Sequence, residues 1–305
     1  MKEQKLKKNF TLLDVANMGE DACKKHLALS RWGDTAICPY CECDKCYTTK
    51  ERYKCSKCQK SFSVIVGTIF HDSKIPLYKW YTLIYLITCH KKGISSIQAS
   101  KDIGVSQKTA WYMLHRIRNT FSENGYKTKL NKTVECDETF VGGKNKNRHW
   151  NKKVKNSQGR SFKDKTPVFG MLERGGNIRA QKVPDTKKKT LEPIIYANIK
   201  KGAKVMTDEW SAYNDLHYDF THKIVNHSRG QYVIGKAHTN TIEGFWSLFK
   251  RGILGIYHNV SRKHLDMYVN EFTFRYNNRK KSTEHRMKKV LTSTQRLSYK
   301  KLTKA

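Results

Sequence analysis

The sequence predicts an α/β core preceded by a small cysteine-rich module and a helical one. Three observations carry this prediction. Six of the nine cysteines fall between Cys38 and Cys58. After Val134, short β-branched runs alternate with turns until about Asp208. From Asn240 onward helical spacing dominates: in Thr239–Lys250, Ile242, Phe245, Trp246 and Phe249 share one face, and Asn240, Glu243, Ser247 and Lys250 line the other.

Composition narrows the function classes. The chain has 305 residues, enough for a catalytic domain and one or two small modules, and its 38% hydrophobic content suffices for a core. Sixty Lys and Arg against 26 acids leave a net charge of +34, which calls for a polyanionic partner. A membrane is the poorer choice, since no apolar run reaches the ~18–20 residues of a spanning helix. The longest run, Trp80 to Cys89, is short and broken by Thr and Tyr. Met1 to Phe10 has lysines but no apolar core after them, so it does not read as a signal peptide. Nucleic acid is the expected partner.

Taken in order, the stretch through Arg31 reads as one amphipathic helix containing Cys23, His26 and Leu27. Cys38-Pro-Tyr-Cys41 and Cys55-Ser-Lys-Cys58 follow, separated by 13 residues. Two such knuckles put four thiolates on two tight turns, the geometry of a structural Zn²⁺ site with no open coordination position. The odd cysteine count and the C-x-x-C pairs favour metal in a reducing cytoplasm over disulfides. Cys43-Asp-Lys-Cys46 is a competing third pair. Short strands such as Ser61 to Val66 are expected in this module. Cys38, Cys41, Cys55 and Cys58 are preferred because Arg52-Tyr53-Lys54 and Ser61-Phe62-Ser63 read as strands flanking the second knuckle, while Cys89 and Cys136 are read as core.

Leu77 to Cys89 has helical spacing, and Gly93 stops it. Ser95–Lys101, a turn at Gly104-Val105-Ser106 and Gln107–Arg118 resemble a helix-turn-helix, in which Gly104 permits the turn and Ser106 caps the second helix. Ile97, Ala99, Ile103, Val105, Ala110 and Leu114 are expected to pack it. Gln107 and Lys108 would then meet base edges, and Arg116 and Arg118 phosphates. Lys127–Lys132 is a basic linker, and Lys144–Lys165 a basic loop suited to DNA phosphates. The expected divisions are a helical segment over 1–35, a zinc ribbon over 36–72, a helical DNA-binding module over 73–125, a catalytic domain over 126–290 and a basic tail over 291–305.

Asp137 and Asp208 stand where buried strands should end, and Glu243 comes 35 positions after Asp208 on the polar face of its helix. Three acids from three elements, in so basic a chain, predict a metal site acting on DNA. Carboxylates are natural ligands for Mg²⁺. Two such ions about 3.5–4 Å apart drive in-line phosphoryl displacement. Glu138 and Glu209 are set aside, Glu138 because strand alternation turns it away from Asp137.

These motifs together resemble the DDE-type transposases of insertion sequence family 1595. The resemblance runs through Arg31-Trp32 before the first knuckle, Gly67-Thr-Ile-Phe70, Lys74-Ile-Pro-Leu77 with Trp80, and Asp137-Glu138. It continues in Thr207-Asp208-Glu209, His238 to Trp246, Lys250-Arg251 and Glu271 to Asn277. It implies an RNase H-like catalytic core, a mixed sheet with flanking helices, carrying Asp137, Asp208 and Glu243. It also implies binding of terminal inverted repeats, then metal-dependent strand cleavage and strand transfer with two Mg²⁺, Mn²⁺ being able to substitute. Members of the family differ in the third ligand, some having asparagine, and Asn240, one turn earlier, could face the metals with Glu243. Glu243 is chosen as the ligand because a carboxylate binds Mg²⁺ more strongly than an amide, and Asn240 is kept as a catalytic-site residue behind it. Lys250 is expected to contact a phosphate near the scissile bond, and His238 to orient a phosphate or ligand carboxylate, or to serve as a cap or core residue. The implied partner is double-stranded DNA, both transposon ends and target, held by a homodimer or larger synaptic complex in the bacterial cytoplasm with the nucleoid. The rivals are a DNA-binding regulator with an inactive core and a structure-specific nuclease.

Overall fold

A computed structural model describes residues 10–49, 52–123, 128–142, 149–155, 164–225 and 238–304. The chain divides into two units, residues 1–123 with 280–305, and residues 124–279.

In the first unit, a capping box starts α1 (Leu12–Ala16): Thr11 Oγ1 accepts the Asp14 N–H at 3.1 Å and Asp14 Oδ2 accepts the Thr11 N–H at 2.9 Å. Gly19 leads into a separate α2 (Glu20–Trp32), so the single N-terminal helix expected from the sequence is two. The cysteine-rich segment forms an antiparallel sheet of β1 (Cys46–Thr49), β2 (Arg52–Cys55) and β3 (Ser61–Phe62). The third strand stops at Phe62, short of Val66, and Phe62 is buried against Trp32 and Tyr53. The Tyr81 hydroxyl of α3 (Leu77–Cys89) donates to the Cys23 carbonyl at 3.2 Å, tying α3 to α2.

The helix-turn-helix forms as expected. Ser95 caps α4 (Ser96–Ile103), Gly104 closes it in the left-handed region at φ +61°, and Ser106 caps α5 (Gln107–Thr120) by accepting the Thr109 N–H. Ile97 does not pack: it is 61% exposed.

The second unit is built on a five-stranded sheet. It comprises β4 (Thr133–Val141), β5 (Thr166–Glu173), β6 (Ile178–Lys182), β7 (Lys204–Thr207) and β8 (Thr221–Ile224) in the order β6-β5-β4-β7-β8. The first three strands run antiparallel, and β7 and β8 add parallel to β4. With α6 (Lys188–Asn198) between β6 and β7 and α7 (Asn240–Gly252) and α8 (Leu265–Asn277) after β8, this is an RNase H-like core. Alternation divides the sheet cleanly. Val134, Cys136, Phe169 and Met171 face Leu191 and Ile195 of α6 and Tyr213 and Leu216. Val168 and Leu172 face Ile242, Phe245, Trp246 and Phe249 of α7 and Val269 and Phe272 of α8.

Helix α8 also closes the β6 edge. Asn277 donates to the Ile178 carbonyl at 2.9 Å and accepts the Ile178 N–H at 2.8 Å, and Asp266 accepts the Lys182 N–H at 3.0 Å. Of the basic loop Lys144–Lys165, residues 144–148 and 156–163 lie outside the described residues.

The chain then returns to the first unit. The division falls at Arg279 rather than 290, and the last residues are not a free tail. In α9 (Thr283–Leu291), Met287, Val290 and Leu291 are buried, as is Leu302 of α10 (Tyr299–Thr303). The Tyr112 hydroxyl donates to the Leu297 carbonyl at 2.7 Å. Among the described residues, no helix is long and apolar enough to cross a membrane.

Candidate active site

Strand β4 is nine residues long, but β7 pairs only with its first part, Thr133↔Lys204 through Glu135↔Met206. Extending that register by two residues sets Asp208, just past the end of β7, level with Asp137. Their carboxylates meet there, and the Glu138 carboxylate joins them: one oxygen from each lies within 4.8 Å of the others. Glu138 was not expected in this group. Alternation does send it to the opposite face, where the Tyr213 hydroxyl donates to its carboxylate. Its longer side chain reaches the cluster where β7 has already ended. Glu209 stays exposed and outside the group.

The cluster is electrostatically costly as it stands. Burial pushes the Asp137 carboxyl well above the usual carboxylate range, and the charges of Glu138, Asp208 and Glu243 push it further. Two backbone contacts work against this crowding: Asp137 Oδ1 accepts the Glu138 N–H at 2.8 Å, and Asp208 Oδ1 accepts the Trp210 N–H at 3.1 Å. Oxygen donors held this close, with like charges facing one another, fit a hard divalent cation.

Helix α7 brings in Glu243. Its apolar stripe is buried as the spacing predicts, while Asn240, Glu243, Ser247 and Lys250 are exposed. Glu243 is outside the 4.8 Å group but close enough for its charge to act on Asp137, and it accepts the Thr239 hydroxyl at 2.6 Å. The approach of α7 depends on Gly170, which lies opposite Asp137 in the β4–β5 ladder. A Cβ on Gly170 would sit 2.5 Å from Trp246 Cζ2 and 3.2 Å from Ile242 Cδ1. The helix therefore rests directly on the backbone beside Asp137.

Sequence reading missed one further residue. Glu135 shares the Asp137 face of β4, is fully buried, and accepts from Arg174, Thr241 and Ile242. His238 Nδ1 lies 3.4 Å from the Glu135 carboxylate, which draws His238 into this network. The signal available was an acid two residues before Asp137, flanked by the apolar Val134 and Cys136.

In the first unit, Cys38, Cys41, Cys55 and Cys58 form a second cluster, with their sulfurs within 4.8 Å of one another. The Cys38–Cys58 and Cys41–Cys55 separations are both 3.6 Å, against about 3.8 Å expected across a tetrahedron with Zn–S of about 2.3 Å. Backbone N–H groups of Cys58 and Lys57 lower the Cys55 thiol, favouring the thiolate a metal needs. Cys46 pairs with Cys55 across β1 and β2, yet burial and the neighbouring Cys55 and Cys38 push its thiol up to about 11. Cys46 and Cys43 both lie outside the four-sulfur group.

The expected DNA contacts divide. Gln107 and Lys108 are exposed at the start of α5, with Gln107 Nε2 donating to Ser96 Oγ at 2.8 Å and Lys108 over the Tyr299 ring. Arg116 and Arg118 are not at the surface: they are 7% and 1% exposed. Arg116 donates to the His71 carbonyl at 2.9 Å and lies over the Trp80 and Tyr112 rings, so it braces the helical module instead of meeting phosphates, and Arg118 is buried out of reach of them.

Residues 129–277 match the ISXO2-like transposase domain and residues 18–61 the transposase zinc-ribbon domain. An uncharacterized transposase-like protein of Haemophilus influenzae is 32% identical over 97 residues, 32% of this chain and 77% of that relative. The chain belongs to the ISXO2-like transposase family. This transposase is also 28% identical over 279 residues to an uncharacterized protein in transposable element ISH50 of Halobacterium salinarum, covering 87% of this chain and 93% of that relative. Among solved structures, a simian T-cell lymphotropic virus intasome in complex with PP2A regulatory subunit B56 gamma is similar at 15% identity and TM-score 0.28, over 63% of this chain and 64% of that one. The Mos1 strand transfer complex is similar at 13% identity and TM-score 0.27, over 67% and 75%.

Proposed function

We propose that this transposase binds double-stranded DNA at the terminal inverted repeats of an insertion sequence and catalyses metal-dependent strand cleavage and strand transfer. The observation that carries this reading is the Asp137, Glu138 and Asp208 cluster, with Glu243 beside it, in a chain of net charge +34. Asp137, Asp208 and Glu243 are the ligands in this reading, and Glu138 becomes a fourth candidate. Mg²⁺ ions held there, or Mn²⁺ in their place, would polarise the scissile phosphate, acidify water and stabilise the leaving oxygen.

The chain's own residues supply position and charge. Lys250 is exposed two turns beyond Glu243 on the same face, where it can meet a phosphate, and Asn240 stands one turn before it. Gln107 and Lys108, at the exposed N-terminus of α5, suit base-edge contacts. No side-chain nucleophile is needed, since water and then a DNA 3′-hydroxyl attack phosphorus. Two ends must be held at once, which calls for a homodimer or larger synaptic complex acting with the nucleoid in the bacterial cytoplasm.

The test is incubation of wild type and Asp208→Asn with labelled DNA bearing the element ends, in Mg²⁺ and in Mn²⁺. Cleaved and joined products from wild type alone are expected. Cut ends without joined product would make the protein a structure-specific nuclease. Binding without cutting by either would make it a regulator with an inactive core.

A further inference from the structure

Glu135 takes no part in the chemistry above, yet its carboxylate joins three segments of the catalytic unit. Oε1 accepts Arg174 Nε at 2.6 Å and the Thr241 hydroxyl at 2.9 Å, and Oε2 accepts the Ile242 N–H at 2.9 Å. Arg174, just past the end of β5, donates onward to the His238 carbonyl at 2.6 Å, immediately before α7. The side chain is fully buried, so these partners replace water completely.

Ile242 is the third residue of α7, and its N–H is among the four that a helix leaves unpaired at its start. Thr239, the residue at the cap position, makes no side-chain cap; its hydroxyl is turned to Glu243 instead. Glu135 therefore caps α7 from another element, and its negative charge complements the helix dipole. The geometry is specific in what it joins. Asp137 is two residues along the same strand on the same face, and Glu243 directly follows Ile242. One carboxylate thus fixes the strand bearing Asp137 against the first turn of the helix bearing Glu243. Arg174 balances its charge, so it does so without adding to the repulsion among the clustered acids.

We infer that Glu135 is a positioning residue that sets the placement of Glu243 relative to Asp137, and so the affinity of the carboxylate cluster for divalent metal. This rests on the reading of Glu243 as a ligand. Residues that orient metal ligands from behind typically change affinity about 10–100-fold when removed.

The test uses Mn²⁺ alone, titrated into the zinc-replete full-length protein and followed by loss of the free-ion paramagnetic resonance signal. The proteins are wild type, Glu135→Gln, Thr241→Val, Glu243→Ala and the Glu135→Gln/Glu243→Ala double variant. Thr241→Val removes one bond to Glu135 while leaving the buried charge paired, so it reports even where Glu135→Gln fails to fold. The expected result is roughly tenfold weaker Mn²⁺ binding in Glu135→Gln, a smaller loss in Thr241→Val, and no further loss when Glu135→Gln is added to Glu243→Ala. Unchanged binding in folded Glu135→Gln or in Thr241→Val, or losses that multiply in the double variant, would overturn the inference while leaving Glu243 a ligand. Unchanged binding in Glu243→Ala would instead overturn the ligand reading, and the inference with it.

Discussion

Gly170→Ala should damage this protein far more than one methyl group suggests. An alanine in a strand interior normally gains on glycine by roughly 0.5–1 kcal/mol, because less backbone entropy is lost on folding. Here the added carbon would meet Trp246 at 2.5 and 3.0 Å and Ile242 at 3.2 Å. Carbon pairs prefer about 3.5–4.0 Å, so α7 must retreat by roughly 1 Å or Trp246 must leave its well. Overpacking of this kind costs about 1–3 kcal/mol, enough to reverse the usual sign. Since Gly170 faces Asp137 across the ladder and Glu243 rides on α7, the same retreat moves Glu243 from the cluster. A displacement near 1 Å can lower a rate about 10²-fold. Urea melts together with DNA end cleavage give both numbers. Trp246→Phe, which removes the offending ring edge, should recover part of each loss in the double variant. A Gly170→Ala protein as stable as wild type, with unchanged cleavage, would refute the argument that α7 rests on this backbone.

Three other predictions follow from the structure. Asp137→Asn should abolish cleavage yet raise the stability of the protein without added Mg²⁺ at neutral pH, on the order of 1 kcal/mol. The sign follows from a raised carboxyl pKa: stability present below the unfolded value is lost as pH rises through the folded one, so wild-type melting points should fall over that window and those of the variant should not. Cys55→Ser should lose the bound zinc, whereas Cys43→Ser and Cys46→Ser should retain it, by colorimetric release assay. Arg116→Ala should cost about 2 kcal/mol in urea melts while leaving the salt dependence of DNA binding unchanged, since the side chain is buried.

The sequence was most legible where a period and a burial pattern coincide. The α7 stripe was readable because Ile242, Phe245, Trp246 and Phe249 leave no second face to bury, and Asp208 was readable as a strand-end residue. Asp137, read the same way, instead sits in the middle of β4, level with the end of β7. The failures have physical causes. Alternation gives the direction of the Glu138 Cβ but not where a long side chain ends once the neighbouring strand has stopped. Arg116 and Arg118 were judged by charge, yet Arg118 lies four residues after Leu114 and Arg116 three after Met113, on the buried stripe of α5. Helix α9 falls where helical structure was expected, but its buried Met287, Val290 and Leu291 lie among lysines, and it belongs to the first unit and not to the catalytic domain it was assigned to. Glu135 could not be assigned because its partners come from α7 and the end of β5, which only the folded chain brings together.

The sealing of β6 by Asn277 and Asp266 has a consequence for how copies of this protein can meet. A sheet grows by lending unpaired backbone groups to another strand, and α8 has already occupied those groups at both ends of β6. The opposite border, β8, is only four residues long and carries an outward Lys223, a poor template for a neighbour. Neither border invites continuation of the sheet into a second molecule. In the proposed synaptic complex, copies would then recognise each other through side chains and the DNA between them, and could separate again without unzipping a shared sheet.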